Sequence, residues 1–273
     1  MLENLGFHVV SEHPYLLSSQ ATQYSIQDLT LDSAEQIDLE AIGDLFEEAF
    51  QTIWTGAAES DALNGLVIGQ RLAVNEVALL RSYARYMKQA AFGFEQAFIA
   101  DTLLKHGHAA KLLVAQFKAL LKPAQTHNAD TGEFEDYLAN IESLNEDRVL
   151  RLLMALINAT VRSNYFAERE DSSLIVHKLA PAELLDLPEP RPAYEVFVYA
   201  PDMEGVHLRS SKVARGGIRW SDRPEDYRTE VLGLVKAQQV KNAVIVPVGA
   251  KGGFVANCID HCYLWNWWTC RID

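Results

Sequence analysis

No cysteine occurs before Cys258, so the first 257 residues cannot be a disulfide scaffold. No stretch of eighteen apolar residues is present, and no membrane span is expected. The N-terminus has no basic segment followed by an apolar core, so a secretory leader is not expected. Neither Gly-x-Gly-x-x-Gly nor Gly-x-x-x-x-Gly-Lys-[Ser/Thr] occurs, which removes the usual dinucleotide and nucleotide-phosphate cradles; Gly249-Ala250-Lys251-Gly252 is too short for the latter. Internal repeats and low-complexity runs are also absent. Cations are the minority charge, with 24 Lys and Arg against 37 Asp and Glu and a net charge of −13. That balance argues against a nucleic-acid partner, which selects a basic face. Together these absences lead us to expect a cytoplasmic chain with neither a membrane nor a nucleic-acid partner.

A chain of 273 residues suggests one or two domains, and a hydrophobic fraction of 49% can fill a core. The scarce cations are not spread evenly. Between His207 and Ala256 there are nine Lys and Arg and four Asp and Glu, a local charge of about +5 by formal count in an acidic protein. Such an island suits a small anionic ligand, although a solvated charged surface gives the same count. Two glycine pairs sharpen it: Gly216-Gly217 follows Arg215, and Gly252-Gly253 follows Lys251. A glycine pair is often an ordinary turn. Glycine also lets backbone approach a ligand closely. A lysine between Ala250 and Gly252 has little of its own neighbourhood to shield it. If the fold encloses it, desolvation would lower its pKa and make it an acid, base or polarising group.

Periodicity predicts a helical middle. Val149, Leu152, Leu153, Leu156, Ile157 and Thr160 follow the helical template, as do Leu113, Phe117, Leu120 and Leu121 before Pro123. Val77, Leu80, Ala84 and Met87 make a third stripe, and further helices are expected near 37–53, 93–105 and 134–144. The aromatics Tyr83, Tyr86, Phe92, Phe94 and Phe98 read as core, and His106 and His108 as loop or cap residues. From residue 170 the pattern changes to strands at 174–176, 195–199 and 206–209, with a proline-rich connection between the first two. Asp222-Arg223-Pro224-Glu225 reads as a helix start whose buried stripe is Tyr227, Val231, Leu234 and Val235. Ala243-Val244-Ile245-Val246 reads as a buried strand leading into a turn at Lys251. Gly6–Val10 reads as the last strand of a preceding small α/β domain. The fold class expected is α+β or α/β: a mainly helical central region, then the start of an α/β substrate-binding domain, with no Rossmann domain.

The run from Ser211 through Ala214-Arg215-Gly216-Gly217-Ile218-Arg219-Trp220-Ser221-Asp222-Arg223, on through Glu225–Gln238 to Gly249–Phe254, resembles the large NAD-dependent glutamate dehydrogenases of bacteria. Leu2–Gly6, Phe46–Phe50, Glu76–Tyr86, Asn164–Phe166 and Phe197–Tyr199 carry the same resemblance, which covers roughly residues 1–255 of a family whose members are far longer. The resemblance implies a division into the end of a small regulatory-type α/β domain (1–30), a helical region (31–170) and the beginning of the catalytic domain (171–255). It also implies chemistry. Small glutamate dehydrogenases hold the two substrate carboxylates with a lysine of a Lys-Gly-Gly motif and a second lysine about two dozen residues on, and use a later lysine in catalysis. Carried over, Arg215 and Lys241 bind the carboxylates beside Gly216 and Gly217, and Lys251 is catalytic. A guanidinium at 215 can grip a carboxylate through two parallel bonds. The implied ligands are L-glutamate and 2-oxoglutarate, the implied cofactor is NAD, and the implied assembly of the full-length enzyme is a homo-oligomer. The nucleotide domain and the family's proton-shuttling aspartate are not visible, so the chain alone is expected to be inactive and to bind no cofactor. The competing reading is a helix-rich interaction module whose basic end holds an anion without catalysis.

The last residues differ in character. All three cysteines and three of the five tryptophans fall within 256–273, where the resemblance stops, and the segment reads as a reading-frame shift outside the family pattern. Cys258, His261 and Cys262 have ligand-like spacing, but a structural zinc site needs four ligands and only Cys270 is left in the tail; no metal is expected.

Overall fold

The computed structural model describes residues 1–19, 22–33, 37–122, 131–167, 173–184, 187, 189, 191–211, 214, 216–241 and 249–257. The strand expected at 243–246, and the cysteines and His261 of the tail, lie outside them.

The chain opens in a short helical turn, Glu3–Leu5, closed by Gly6 at φ 94°, a left-handed conformation that a side chain would resist. It then forms an antiparallel ribbon, β1 (Phe7–Ser19) and β2 (Thr22–Ser33), bulged between Val9 and Ser11. The expected strand at residues 6–10 is therefore the beginning of a longer one. Tyr15, Leu17, Tyr24 and Ile26 share one face of the ribbon, and all are exposed.

Seven helices follow among the described residues: α1 (Leu39–Trp54), α2 (Gly65–Gln70), α3 (Val74–Gln89), α4 (Gln96–Lys105), α5 (Gly107–Leu121), α6 (Thr131–Leu138) and α7 (Leu144–Asn158). α7 shows why they form. The Ser143 side chain accepts from the Glu146 amide, Glu146 and Asp147 stand in the positive first turn, and Val149, Leu152, Leu153, Leu156 and Ile157 are all buried. Three expectations need correction here. Thr160 does not continue α7: it opens a strand, and its hydroxyl bonds back to the Leu156 carbonyl at 2.8 Å. The helix expected at 134–144 is the end of α6 and the start of α7, broken at 139–143. Leu120 faces solvent rather than the core. His106 sits between α4 and α5, with Nδ1 3.1 Å from the Tyr137 hydroxyl and Nε2 3.0 Å from Glu146.

The second half is a six-stranded sheet of β3 (Thr160–Ser163), β4 (Ile175–Leu179), β5 (Tyr194–Ala200), β6 (Met203–Arg209), β7 (Ile218–Trp220) and β8 (Ala250–Ala256), in the order β3-β4-β5-β6-β8-β7. Every pairing is antiparallel except β7 with β8, which are parallel and joined by α8 (Tyr227–Lys241). That crossover is the α/β element in a sheet whose β3 to β6 are consecutive antiparallel neighbours and whose β8 lies between β6 and β7, and the fold is α+β. No helix among the described residues is long and apolar enough to cross a membrane.

One face of the sheet is covered by α3 and α8. It carries His177, Glu195, Phe197, Tyr199, Val206, Leu208 and Val255, and Tyr86 of α3 meets Phe197 edge-on at 5.4 Å. The junction is unusually polar for a core. On α3, Arg81 forms a bidentate pair with Asp61, Arg85 pairs with Glu59 and lies 3.7 Å from Glu204, and Lys88 reaches Glu225. Tyr199 donates to Glu59, while Arg228 of α8 makes two bonds to Glu195 at 2.6 and 2.8 Å. Buried charges persist only when paired, and Arg81, Arg85 and Arg228 each are, while Lys88 and Glu225 meet at the more exposed edge. Burial raises the Glu204 carboxyl above its usual range, against the pull of Arg85.

His177 is fully enclosed beneath α3. It stacks on Tyr83 at 4.4 Å and meets Phe117 edge-on. The Ser82 hydroxyl donates to the Leu79 carbonyl at 2.6 Å, so its oxygen accepts from His177 Nε2 at 2.8 Å. That assigns the proton to Nε2 and leaves Nδ1 with no partner among the described residues. A second proton would add a charge with nothing to receive it, and burial pushes the pKa of His177 down to about 3. An unfolded histidine titrates near 6.5, so between about pH 6.5 and 3 the unfolded chain binds a proton that the folded chain refuses. Stability therefore falls as pH falls, with a contribution from this residue approaching about 1.4 kcal/mol per pH unit. His177→Gln keeps a donor for Ser82 and removes the titration. It is expected to flatten the stability-against-pH slope by nearly one proton in urea unfolding from pH 4 to 6.5; an unchanged slope would show that His177 is not held neutral.

Candidate functional site

The glycine pairs do not make the two turns that the sequence suggests. Gly252 and Gly253 lie inside β8, and Lys251 is a strand residue opposite Leu208 of β6. None of Gly216, Gly217, Gly252 and Gly253 has positive φ, so conformational freedom is not what requires glycine there. Close approach is. A Cβ at Gly216 would stand 1.2 Å from the Ala250 carbonyl oxygen, and one at Gly253 would stand 2.5 Å from Val231 Cγ2 of α8. No side chain fits at 216 without parting the two backbones.

The result is a close seam. Gly252 N donates to Gly217 O at 3.0 Å, and the parallel pairing continues as Ile218↔Gly252, Arg219↔Gly253 and Trp220↔Phe254. On the other flank Ser210 N donates to Gly249 O at 3.3 Å. The structure thus brings Gly216 and Gly217 against the strand that carries Lys251, although they are some thirty-five residues away in sequence. Arg215 is not among the described residues, and Lys241 is described only as the last residue of α8, without its side chain. Lys251 is half-buried at the start of β8. Opposite residues of paired strands share a face, so Lys251 points to the side of Leu208, and Arg219, opposite Gly253, points to the same helix-covered side.

The surrounding charges are largely committed. Arg228 is buried against Glu195, Arg223 pairs with Asp226, and Arg219 lies 3.2 Å from Glu230. The local excess of cations is therefore not all available to a ligand. Crossover topology also sets α8 antiparallel to β7 and β8, so its C-terminal end, carrying Lys241, lies toward the ends of the strands where Gly216 and Lys251 stand. A helix C-terminus is the negative end of its dipole. An anion held here must be held by side-chain cations and backbone N–H groups, not by a helix N-terminus.

Sequence reasoning placed the start of α8 too early. Residues 222–226 are a turn in which the Arg223 guanidinium binds Asp226, and the helix begins at Tyr227. Its N-terminus is capped from another element: Gln89 of α3 accepts from the Arg228 amide at 3.4 Å and donates to the Pro224 carbonyl at 2.8 Å. The buried face of α8 is Tyr227, Arg228, Val231, Leu232 and Val235, with Leu234 only half-buried. Glu230, Ser221 and Gln89 were not identified from sequence. Among the described residues, no cluster of three or more His, Cys, Asp or Glu side chains is placed to hold a metal ion.

Fold and site define a segment of an α+β protein in which a lysine-bearing strand lies against a glycine-lined one. Residues 1–42 match the glutamate dehydrogenase ACT3 domain, 58–123 the glutamate dehydrogenase helical motif 3, and 133–263 the catalytic domain of bacterial NAD-glutamate dehydrogenase. Over 93% of its length the chain is 49% identical to the NAD-specific glutamate dehydrogenase of Halomonas elongata, 47% to that of Pseudomonas aeruginosa and 43% to that of Mycobacterium tuberculosis. The chain belongs to the bacterial NAD-specific glutamate dehydrogenase family, and it spans 16–17% of the length of these relatives.

Proposed function

We propose that this chain forms part of an enzyme that oxidatively deaminates L-glutamate with NAD and water to 2-oxoglutarate, ammonium and NADH, and that it supplies the beginning of the substrate-binding domain. In this reading residues 1–30 end a regulatory-type domain, 31–170 are a helical region, 171–255 begin the catalytic domain, and 256–273 are a non-family tail, although the catalytic-domain match itself runs from 133 to 263. The full-length enzyme is cytoplasmic and homo-oligomeric. Arg215 and Lys241 each hold one substrate carboxylate, Gly216 and Gly217 keep the backbone close to the ligand, and Lys251 acts at the 2-position. The observation that supports the reading best is the seating of Gly216 and Gly217 on Ala250 and Gly252, in contact with the strand of Lys251.

A dicarboxylate suits such a site because two fixed cations orient it, and the reacting carbon then falls at a fixed distance from both. Lys251 can hydrogen-bond the 2-oxo oxygen or a water at the reacting carbon, and can give or take a proton there. The residues of this chain do not fit a dinucleotide. Glycine-rich phosphate turns are absent from the sequence, and a single parallel strand pair is present among the described residues. NAD is accordingly bound by another part of the enzyme, and no step at these residues is routed through it.

The test is Arg215→Ala in the full-length enzyme that carries this segment. Losing a charge-assisted bond common to substrate and transition state should raise KM for glutamate roughly ten- to a hundredfold, for a loss of about 1.5–3 kcal/mol, with kcat little changed. Steady-state kinetics decide it, and an unchanged KM would remove Arg215 from the site. A basic surface without catalysis would leave both constants untouched.

A further inference from the structure

Glu230, in the first turn of α8, reaches β7 at two points. Its Oε1 lies 3.2 Å from Nη1 of Arg219, and its Oε2 accepts a hydrogen bond from the Ser221 hydroxyl at 2.6 Å. The Ser221 oxygen also accepts from the Arg223 amide at 3.2 Å, while the Ser221 amide donates to the Phe254 carbonyl of β8 at 2.9 Å. Arg219 and Ser221 bracket Trp220, the end of β7.

β7 needs such ties. It is a three-residue edge strand, and its Ile218 and Trp220 side chains are 70% and 56% exposed on the face away from α8. Little apolar burial holds it down, so its seating depends on the ladder to β8 and on Glu230. Directly before it in the chain come Gly217 and Gly216, whose clearance over Ala250 leaves no room for adjustment. Arg219 also shares the helix-covered face with Lys251, so an untied guanidinium would be a further cation on that side.

We infer that Glu230 is a positioning residue. From α8 it fixes β7 against β8, and through β7 it sets where the Gly216-Gly217 pair stands relative to Lys251, while it neutralises Arg219 so that this guanidinium does not compete for the anion. The structural half stands on the contacts above; the consequence for substrate rests on the function proposed for this site.

Two measurements test it. In this chain, Glu230→Ala should speed hydrogen exchange of the Ser221 and Gly252 amides about tenfold, as expected when a charge-assisted tie is lost, and leave the amides of Ala84 and Leu153 unchanged. Glu230→Gln, which keeps the side-chain volume, guards against a general failure to fold and should give a smaller effect, because one bond to Ser221 can remain. Unaltered exchange at Ser221 and Gly252 in both variants would overturn the inference. In the full-length enzyme, Glu230→Ala should raise KM for glutamate about tenfold with kcat within about twofold. An unchanged KM in Glu230→Ala, with Lys251→Ala shown separately to abolish turnover, would overturn the role in substrate positioning. Normal kcat in Lys251→Ala would instead fault the reading of the site, and the exchange experiment alone would then decide the role of Glu230.

Discussion

Replacing Glu195 by alanine is expected to destabilise this chain by about 3–5 kcal/mol, the loss associated with removing one partner of a fully buried pair. Glu195 is 0% exposed and Arg228 2%, and both oxygens of the carboxylate are used by the guanidinium. In Glu195→Ala the arginine stays where α8 and Tyr86 hold it, its Cζ 5.8 Å from the Tyr86 ring centroid, with its charge uncompensated. Arginine does not escape by losing a proton, because a guanidinium stays protonated at any working pH. The pair shifts it further upward here: burial works against the charge, but the Coulombic attraction and hydrogen bonds of Glu195 outweigh it. The double variant Glu195→Leu with Arg228→Met removes both charges and should recover most of the loss, since apolar replacement of a buried pair is often neutral. Urea unfolding of the two variants beside the parent chain measures both effects. A single variant within about 1 kcal/mol of the parent, at the level of an exposed pair, would mean that water reaches the pair.

Apolar spacing announces a helix when one continuous segment carries the whole signal. Val149 to Ile157 do so, and α7 lies where they put it. Thr160 fits the same spacing, yet its hydroxyl can satisfy the Leu156 carbonyl and the chain can leave as a strand; periodicity does not separate the two. The start of α8 was misplaced for another reason. The sequence around Asp222 suggests a local cap, but the cap comes from Gln89, 139 residues before the Arg228 that it serves. Arg81, Arg85 and Lys88 stand four and three residues apart on α3, on or beside the face of its apolar stripe. That placement was a readable sign of buried pairing, although the partners Asp61, Glu59 and Glu225 could not be read from it.

At the candidate site the residue types were legible and the geometry was not. A glycine pair beside a cation marks close backbone approach, and this is what Gly216 and Gly253 provide, but Gly253 does so from within a strand rather than a turn. The partner of each is another strand or a helix, distant in sequence. The charge count overstated the free cations, because a formal sum cannot distinguish Arg228, buried against Glu195, from Lys251, half-buried at the start of its strand. The contribution of Glu230 could be seen only once α8 had been laid over β7.

Lys251→Ala in the full-length enzyme is expected to lower kcat by about 10²- to 10⁴-fold, the usual contribution of a positioned acid or base, with a much smaller change in KM. The expectation follows from the division of labour proposed here. Carboxylate binding at Arg215 and Lys241 is the same in ground and transition states, so those residues govern KM. In that proposal Lys251 acts on the reacting centre, so its loss is felt as the barrier is crossed, by about 2.7–5.4 kcal/mol for that range of rates. The position tolerates truncation: Lys251 is only half-buried at the start of β8, and its backbone pairing with Leu208 does not depend on the side chain. Lost activity with retained stability would therefore be a chemical effect. Lys251→Arg separates its two possible contributions. Arginine keeps a positive charge in the same strand position but holds its proton at any working pH. Activity restored by arginine would assign Lys251 to polarising the 2-oxo oxygen; activity still absent would assign it to proton transfer. A kcat for Lys251→Ala within about twofold of the parent, less than about 0.5 kcal/mol, would remove this lysine from the mechanism.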